Sequence, residues 1–138
     1  MLRDICAVHD INATCFRYFN AAGADPSGSI GEAHNPETHL IPNILKSMIS
    51  GGSVLKVFGN DYETRDGSCI RDYVHVSDIA SAHVLSLNHM INGVDNNYDV
   101  FNLGSESGVS VLELIKTFEE VNLRVTTITG QEVFKGNY

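Results

Sequence analysis

Leu2, Ile5, Cys6 and His9 recur at three- and four-residue spacing, which predicts a helix over Met1–His9. No Ser, Thr, Asp or Asn precedes it, so the expectation is that the chain opens inside an element. Ala13–Phe19 carries Phe16, Tyr18 and Phe19 and predicts a strand ending at Asn20-Ala21-Ala22-Gly23. Such a strand delivers Asn20 to its carboxyl end, where ligands bind in open α/β sheets. Asp25–Thr38, punctuated by Asp25-Pro26-Ser27-Gly28 and Asn35-Pro36, reads as a loop long enough to cover a ligand. A helix then places Ile41, Leu45, Met48 and Ile49 on one face, with Pro42 in its first turn and Gly51-Gly52 as its stop. His39 and Leu40 fall at its amino-terminal end, where free backbone N–H groups favour an anion.

Val54–Phe58 predicts a strand that turns at Gly59-Asn60-Asp61, and Asp66-Gly67 is a second turn. From Cys69 the chain reads as one extended segment. Alternation points Ile70, Asp72, Val74 and Val76 to one side and Arg71, Tyr73, His75 and Ser77 to the other. Ser77 and Asp78 are the expected caps of a helix whose inward face is Ala80, Val84, Leu87 and Ile91 and whose end is Asn92-Gly93. Tyr98–Leu103 is a further strand, closed by Gly104. Ser110-Val111-Leu112-Glu113 is a capping box for a helix turning Leu114, Ile115, Phe118 and Val121 inward. There are no internal repeats or low-complexity tracts.

Composition narrows the partners. With 138 residues and 43% apolar content the chain can bury a core. Its formal charge of −8 argues against nucleic acid, which selects a basic surface. An anionic small ligand remains admissible, because salt screens charges beyond about 8 Å and a local donor set decides. Cys6, Cys15 and Cys69 are odd in number without Cys-x-x-Cys spacing, so neither a disulfide framework nor a zinc site is indicated. His9, His34, His75, His83 and His89 show no metal-ligand pattern, and no metal is expected. No apolar run reaches the ~18 residues of a membrane span, and the amino terminus lacks a secretory pattern; a cytoplasmic protein is expected.

The candidate chemistry concentrates in Cys69–Asp78. An arginine fork beside a tyrosine ring suits a ligand carrying both phosphate and a flat base. The alternative is an Arg71–Asp72 surface pair on a half-exposed strand. Further segments accompany it in order: Arg17-Tyr18-Phe19-Asn20-Ala21-Ala22-Gly23-Ala24-Asp25-Pro26, His39-Leu40-Ile41-Pro42, Val57-Phe58-Gly59-Asn60-Asp61-Tyr62, Arg71-Asp72-Tyr73-Val74-His75-Val76 and Phe101-Asn102-Leu103-Gly104. In this order and spacing the sequence, from about Met1 to Val121, resembles the carboxyl-terminal part of the UDP-glucose 4-epimerase family of extended short-chain dehydrogenases/reductases.

The resemblance implies a mixed α/β piece of that fold. Residues 1–20 would be a remnant of the Rossmann-like cofactor domain, 21–121 a substrate-binding region and 122–138 a divergent, truncated tail. It implies an isomerase that interconverts UDP-glucose and UDP-galactose through a transient 4-keto sugar on NAD. The family's base is a tyrosine of a Tyr-x-x-x-Lys helix, and its pyrophosphate loop is Gly-x-x-Gly-x-x-Gly. This sequence has neither, so no catalytic residue is assigned, no NAD is expected on the chain alone, and isolated it would be inactive. The family's downstream Arg-x-Gly-Asp is absent too, and Thr129-Gly130-Gln131-Glu132-Val133 stands displaced from a similar family element.

By motif position, Asn20 would bond the pyrophosphate or sugar, or else serve as a turn former. His39 and the backbone N–H of Leu40 would meet the UDP group. Phe58 would stack on uracil, or else be a core aromatic, and Lys56 would contact uracil through its backbone. Arg71 would hold the diphosphate. Tyr73 would line the nucleotide pocket or be a structural tyrosine, and Tyr18 would lie by the nicotinamide. A UDP-sugar and an absent amino-terminal cofactor domain are thus the implied partners. The orphaned helix and strand of residues 1–20 would favour self-association or domain swapping. A UDP-arabinose or UDP-N-acetylglucosamine 4-epimerase, or a non-catalytic interaction module, are the alternatives.

Overall fold

The computed structural model describes residues 1–49, 55–93 and 97–121, and the backbone of 127–129 and 132–134. In chain order the elements are α1 (Leu2–Val8), β1 (Ala13–Tyr18), β2 (Asn20–Ala22), α2 (Leu40–Ile49), β3 (Leu55–Val57), β4 (Ile70–Arg71) and β5 (Tyr73–His75). They continue with α3 (Val76–Ile91), β6 (Tyr98–Leu103), β7 (Val109–Ser110), α4 (Val111–Glu120), β8 (Thr127–Thr129) and β9 (Glu132–Phe134). The expected α/β class holds. The chain divides into two compact units, one of Met1–Gly31 with Asp72–Ser107, the other of Glu32–Arg71 with Gly108–Tyr138.

In the first unit β1 pairs in parallel with β6, Ala13 opposite Tyr98 through Tyr18 opposite Leu103. β2 pairs in parallel with β5, Asn20 opposite Tyr73 and Ala22 opposite His75. The run expected to end at Asn20 therefore resumes as a second strand, anchored where the Asn20 N–H donates to the Asp72 carbonyl at 3.1 Å. α1 opens at Met1 without a side-chain cap, as expected, and buries Cys6. Arg3 lies 5.3 Å over the Tyr98 ring, and Asn97 donates to the Cys6 carbonyl.

α3 corrects two expectations. Its cap is His75, whose Nδ1 accepts from the Ser77 N–H at 3.2 Å, rather than Ser77 or Asp78. Its sheltered stripe is Ile79, Ala82, Ser86 and Met90, with His83 beside them against Phe16 at 4.9 Å between ring centroids. Val84, Leu87 and Ile91 are exposed. The helix carries apolar residues on both faces, so periodicity alone could not choose between them.

The second unit holds the larger core: Ile44, Leu55, Val57 and Ile115, with Leu40, Met48, Val111, Leu112, Leu114 and Phe118 packed around them. α2 offers two adjacent stripes at four-residue spacing, 40/44/48 and 41/45/49. The first one wins, burying Ile44 completely and leaving Leu45 and Ile49 exposed; of the expected face, Met48 packs on the core. β3 alternates as predicted, with Leu55 and Val57 inward. It pairs in parallel with β8, which pairs antiparallel with β9. Gly51-Gly52, Val54 and most of 122–138 lie outside the described residues.

α4 begins with the expected capping box: the Ser110 hydroxyl accepts from the Glu113 N–H at 3.1 Å, and the Glu113 carboxylate accepts from the Ser110 N–H at 2.9 Å. Ile115 is buried, whereas Val121, expected inward, is exposed. The Asp66-Gly67 turn is tied to this helix start. Asp66 accepts from the Ser68 N–H and hydroxyl and from the buried Ser110 hydroxyl, and the Ser68 hydroxyl in turn accepts from the Leu112 N–H. Among the described residues no helix is long and apolar enough to cross a membrane.

Candidate functional site

The extended segment from Cys69 is broken. Ile70–Arg71 pairs antiparallel with β7, Tyr73–His75 pairs in parallel with β2, and Asp72 is the break. What fixes Asp72 is local chemistry: its carboxylate accepts from the Ser105 N–H at 2.9 Å and from the Ser105 hydroxyl at 2.6 Å. Those bonds, the hydroxyl's first, hold the Asp72 carboxyl below its ordinary range. A side chain at Gly104 would put Cβ 2.3 Å from the Asp72 carboxylate, so glycine is required there. The Arg71–Asp72 pair weighed as an alternative is not formed in this way; Asp72 serves Ser105, and Arg71 donates to the Ile70 carbonyl at 3.0 Å.

In the first unit this arrangement frames a cleft of about 360 Å³ lined by Tyr73, His75, Asp78, Asn102, Leu103 and Ser105 among others. It lies at the carboxyl ends of the parallel strands β5 and β6, where open α/β sheets receive ligands. Tyr18 stands at the end of β1 with half its surface exposed, and Asn20 and Tyr73 face each other in register across β2 and β5. Gly23, at φ +93°, admits the His75 ring: a Cβ there would lie 2.2 Å from Nε2. Sequence reasoning did not single out Asp72, Gly104 and Ser105 as the residues that hold this end of the unit, because their link spans a long stretch of chain.

In the second unit His39 and Leu40 sit at the amino-terminal end of α2, as expected. Leu40 packs on the core, so a ligand there would meet its backbone. Lys56 and Phe58 point away from Leu55 and Val57, and Phe58 is 79% exposed, which removes the core-aromatic alternative. Arg71 is exposed at the end of β4. Close by in sequence, the Cys69 thiol hydrogen-bonded to Tyr62 raises the Tyr62 hydroxyl above its ordinary value. Arg65 donates to both Glu113 oxygens and to the Gly108 carbonyl, and chiefly for that reason the Glu113 carboxyl falls to about 2.

The loop expected between Asp25 and Thr38 folds on itself. The His34 Nδ1 lies 2.8 Å from the Glu32 carboxylate, and the His39 Nδ1 lies 2.6 Å from that same oxygen and 3.0 Å from Glu37. Glu37 also accepts from the backbone N–H groups of Thr38 and His39, each at 2.9 Å, and the His39 bond leads in lowering its carboxyl. The sequence reading found no metal-ligand pattern among the histidines. The readable signal was Glu-x-His-x-x-Glu-x-His over residues 32–39, which appears only when carboxylates are counted with imidazoles.

Parallel pairings, a strand β5 that runs directly into α3 and a cleft at the strand carboxyl ends fit a Rossmann-type α/β class. The chain belongs to the NAD dependent epimerase/dehydratase family, whose pattern matches residues 1–104. A UDP-glucose 4-epimerase from Lactobacillus helveticus is 55% identical over 111 residues, 80% of this chain and 33% of its own length. The crystal structure of a Brucella ovis UDP-glucose 4-epimerase in complex with NAD superposes with a TM-score of 0.84 at 41% identity, over 94% of this chain and 39% of that one. A Bifidobacterium longum UDP-glucose 4-epimerase in complex with NAD+ and UDP gives a TM-score of 0.81 at 33% identity, over 97% of this chain and 40% of that one. The chain thus spans about a third of the length of the first curated relatives it matches.

Proposed function

We propose that this chain is the UDP-sugar-binding portion of an NAD-dependent UDP-glucose 4-epimerase, an isomerase exchanging UDP-glucose and UDP-galactose. The observation that carries the reading is Phe58: a large aromatic ring that its strand neighbours turn out of the core, 79% exposed, in a chain 55% identical to a UDP-glucose 4-epimerase. A ring so held is available for uracil to stack on. The names of the curated relatives favour this substrate over the UDP-arabinose and UDP-N-acetylglucosamine alternatives.

In this reading Arg71 clamps the diphosphate through parallel N–H bonds. Phe58 stacks on uracil while the Lys56 backbone meets its edge. The Leu40 N–H, at a helix start, donates to the UDP group. His39 can assist only through Nε2, because its Nδ1 already faces Glu37 and Glu32. Asn20 and Tyr73 bind the pyrophosphate or sugar. Residues 21–121 form the substrate-binding region, and residues 1–20 belong with a cofactor domain.

The residues present do not fit NAD by themselves. Tyr18 offers one exposed ring for a nicotinamide, but the glycines from Gly23 to Gly31 have no phosphate-cradling spacing, and no Tyr-x-x-x-Lys supplies a base. In this reading a cofactor domain would supply the positioned acid–base and cofactor groups, and the chain's own part is to bind and orient the nucleotide sugar. A cytoplasmic location accords with that chemistry.

Calorimetry with UDP tests the reading. Arg71→Ala is expected to weaken binding by about 1.5 to 3 kcal/mol, the worth of hydrogen bonds to a charged group. The same preparation is expected to carry no NAD absorbance and to leave UDP-galactose unconverted. Equal affinity of wild type and Arg71→Ala would show that the diphosphate site lies elsewhere.

A further inference from the structure

Glu32, His34, Glu37 and His39 bring four donor atoms within 4.8 Å of one another, each from a different side chain. Two imidazoles stand side by side, their ring centroids 4.8 Å apart, and both turn Nδ1 toward one oxygen of Glu32. The His39 Nδ1 lies between two carboxylates. The Glu37 side chain is only 5% exposed, and the cation nearest its carboxylate is Lys46, at 4.0 Å from its second oxygen. Two carboxylates, one of them sheltered, thus converge on one short loop, with the Lys46 ammonium at the edge of ion-pair range. A dication would balance both charges.

We propose that residues 32–39 form a divalent transition-metal site, with zinc as the fitting ion, ligated by the two imidazole nitrogens and the two carboxylates. Zinc takes nitrogen at about 2.0 to 2.1 Å and carboxylate oxygen at about 2.0 to 2.2 Å in a tetrahedron, so its ligand atoms stand roughly 3.4 Å apart. The contacts of 2.6 to 3.0 Å need to open by roughly 0.4 to 0.8 Å and the wider pairs, within 4.8 Å, to close onto the ion, with the metal taking the place of the shared protons. Two imidazoles select zinc, nickel or copper over magnesium, which takes oxygen ligands alone. The ion would tie the loop to the start of α2. The site shares His39 with the UDP-sugar reading, but metal binding is measured without nucleotide, so the two can fail separately.

The test is a titration of the chelator-stripped chain with Zn²⁺ and Co²⁺. One saturable equivalent is expected, with a Co²⁺ spectrum that lacks the intense thiolate charge-transfer band, so that the three cysteines are excluded as ligands. His34→Ala and Glu32→Gln are each expected to weaken Zn²⁺ by about tenfold or more, with unchanged circular dichroism. His89→Ala, on α3, should leave the affinity unchanged, and excess Mg²⁺ should not compete. Absence of saturable binding, a dominant thiolate band, or equal affinity in the His34→Ala, His39→Ala double variant would overturn the site and leave a hydrogen-bonded loop cluster.

Discussion

The Asp72 carboxylate and Ser105 are joined twice, by the Ser105 N–H at 2.9 Å and its hydroxyl at 2.6 Å, across a long stretch of chain. This link does two things at once. It interrupts what would otherwise be one strand through Arg71 and Tyr73, and it holds the turn after β6 against the start of β5. Asp72→Ala is expected to lower the thermal midpoint and to raise hydrogen exchange at residues 104–107. Gly104→Ala should do the same, because the added methyl would meet the carboxylate. Thermal melts and exchange mass spectrometry decide; unchanged exchange in both variants would remove the link's role.

Glu113 gives a pH dependence with a definite sign. Its folded value of about 2 lies below the ordinary 4.5, with the Arg65 hydrogen bond as the leading cause. A depressed carboxyl contributes stability that is fully present above the unfolded value and lost as pH falls through the folded one. Its share is therefore intact at neutral pH and disappears between about 4.5 and 2. Asp66 and Asp72, also lowered, act in the same direction. In urea titrations across this range Glu113→Gln should show a shallower acid limb than wild type. Parallel limbs would mean that the Arg65–Glu113 pair does not operate in solution.

Phe58 and Ile44 should separate binding from folding. Ile44→Ala empties a fully buried position in the second unit and is expected to cost about 2 to 5 kcal/mol. Phe58→Ala, at a side chain 79% exposed, should leave stability nearly unchanged while weakening UDP by about 1 to 3 kcal/mol. Denaturant melts and calorimetry on the two variants provide the check. A large stability loss at Phe58 would return it to the core.

Much of this fold was legible in the sequence where a pattern had one solution. Ser110 and Glu113 announced their capping box, Leu55 and Val57 alternated with Lys56, and Asp66-Gly67 marked a turn that the structure keeps. Reading failed where two solutions were equally periodic. α2 and α3 each carry two apolar stripes, and which one turns inward is settled by neighbours distant in sequence. The break at Asp72 was invisible for the same reason, since its partner Ser105 comes much later in the chain. The residues proposed to face the nucleotide were legible only through the family's ordered motifs. The 32–39 cluster was hidden because its imidazoles alternate with carboxylates at spacings that belong to no standard ligand set.

The first unit leaves apolar surface that should find a partner. Among the described residues β1 pairs only with β6, and a two-stranded parallel sheet ordinarily has both faces covered. Leu85 and Ile91 on α3 are 67% and 79% exposed, Val84 and Leu87 are more than half exposed, and Val8 and Phe19 lie open beside α1 and β1. Apolar exposure on this scale would favour association. Light scattering over a concentration series is expected to show dimers or larger species of the purified chain. Because Leu85 and Leu87 lie outside the sheltered stripe of α3, Leu85→Glu with Leu87→Glu should shift the population to monomer while retaining the circular dichroism of the wild type. Deleting residues 1–20 would be a poorer test, since it also removes the partner of β6. A wild-type chain that stays monomeric at high concentration would show that these side chains are tolerated in water and that the surface recruits no second copy.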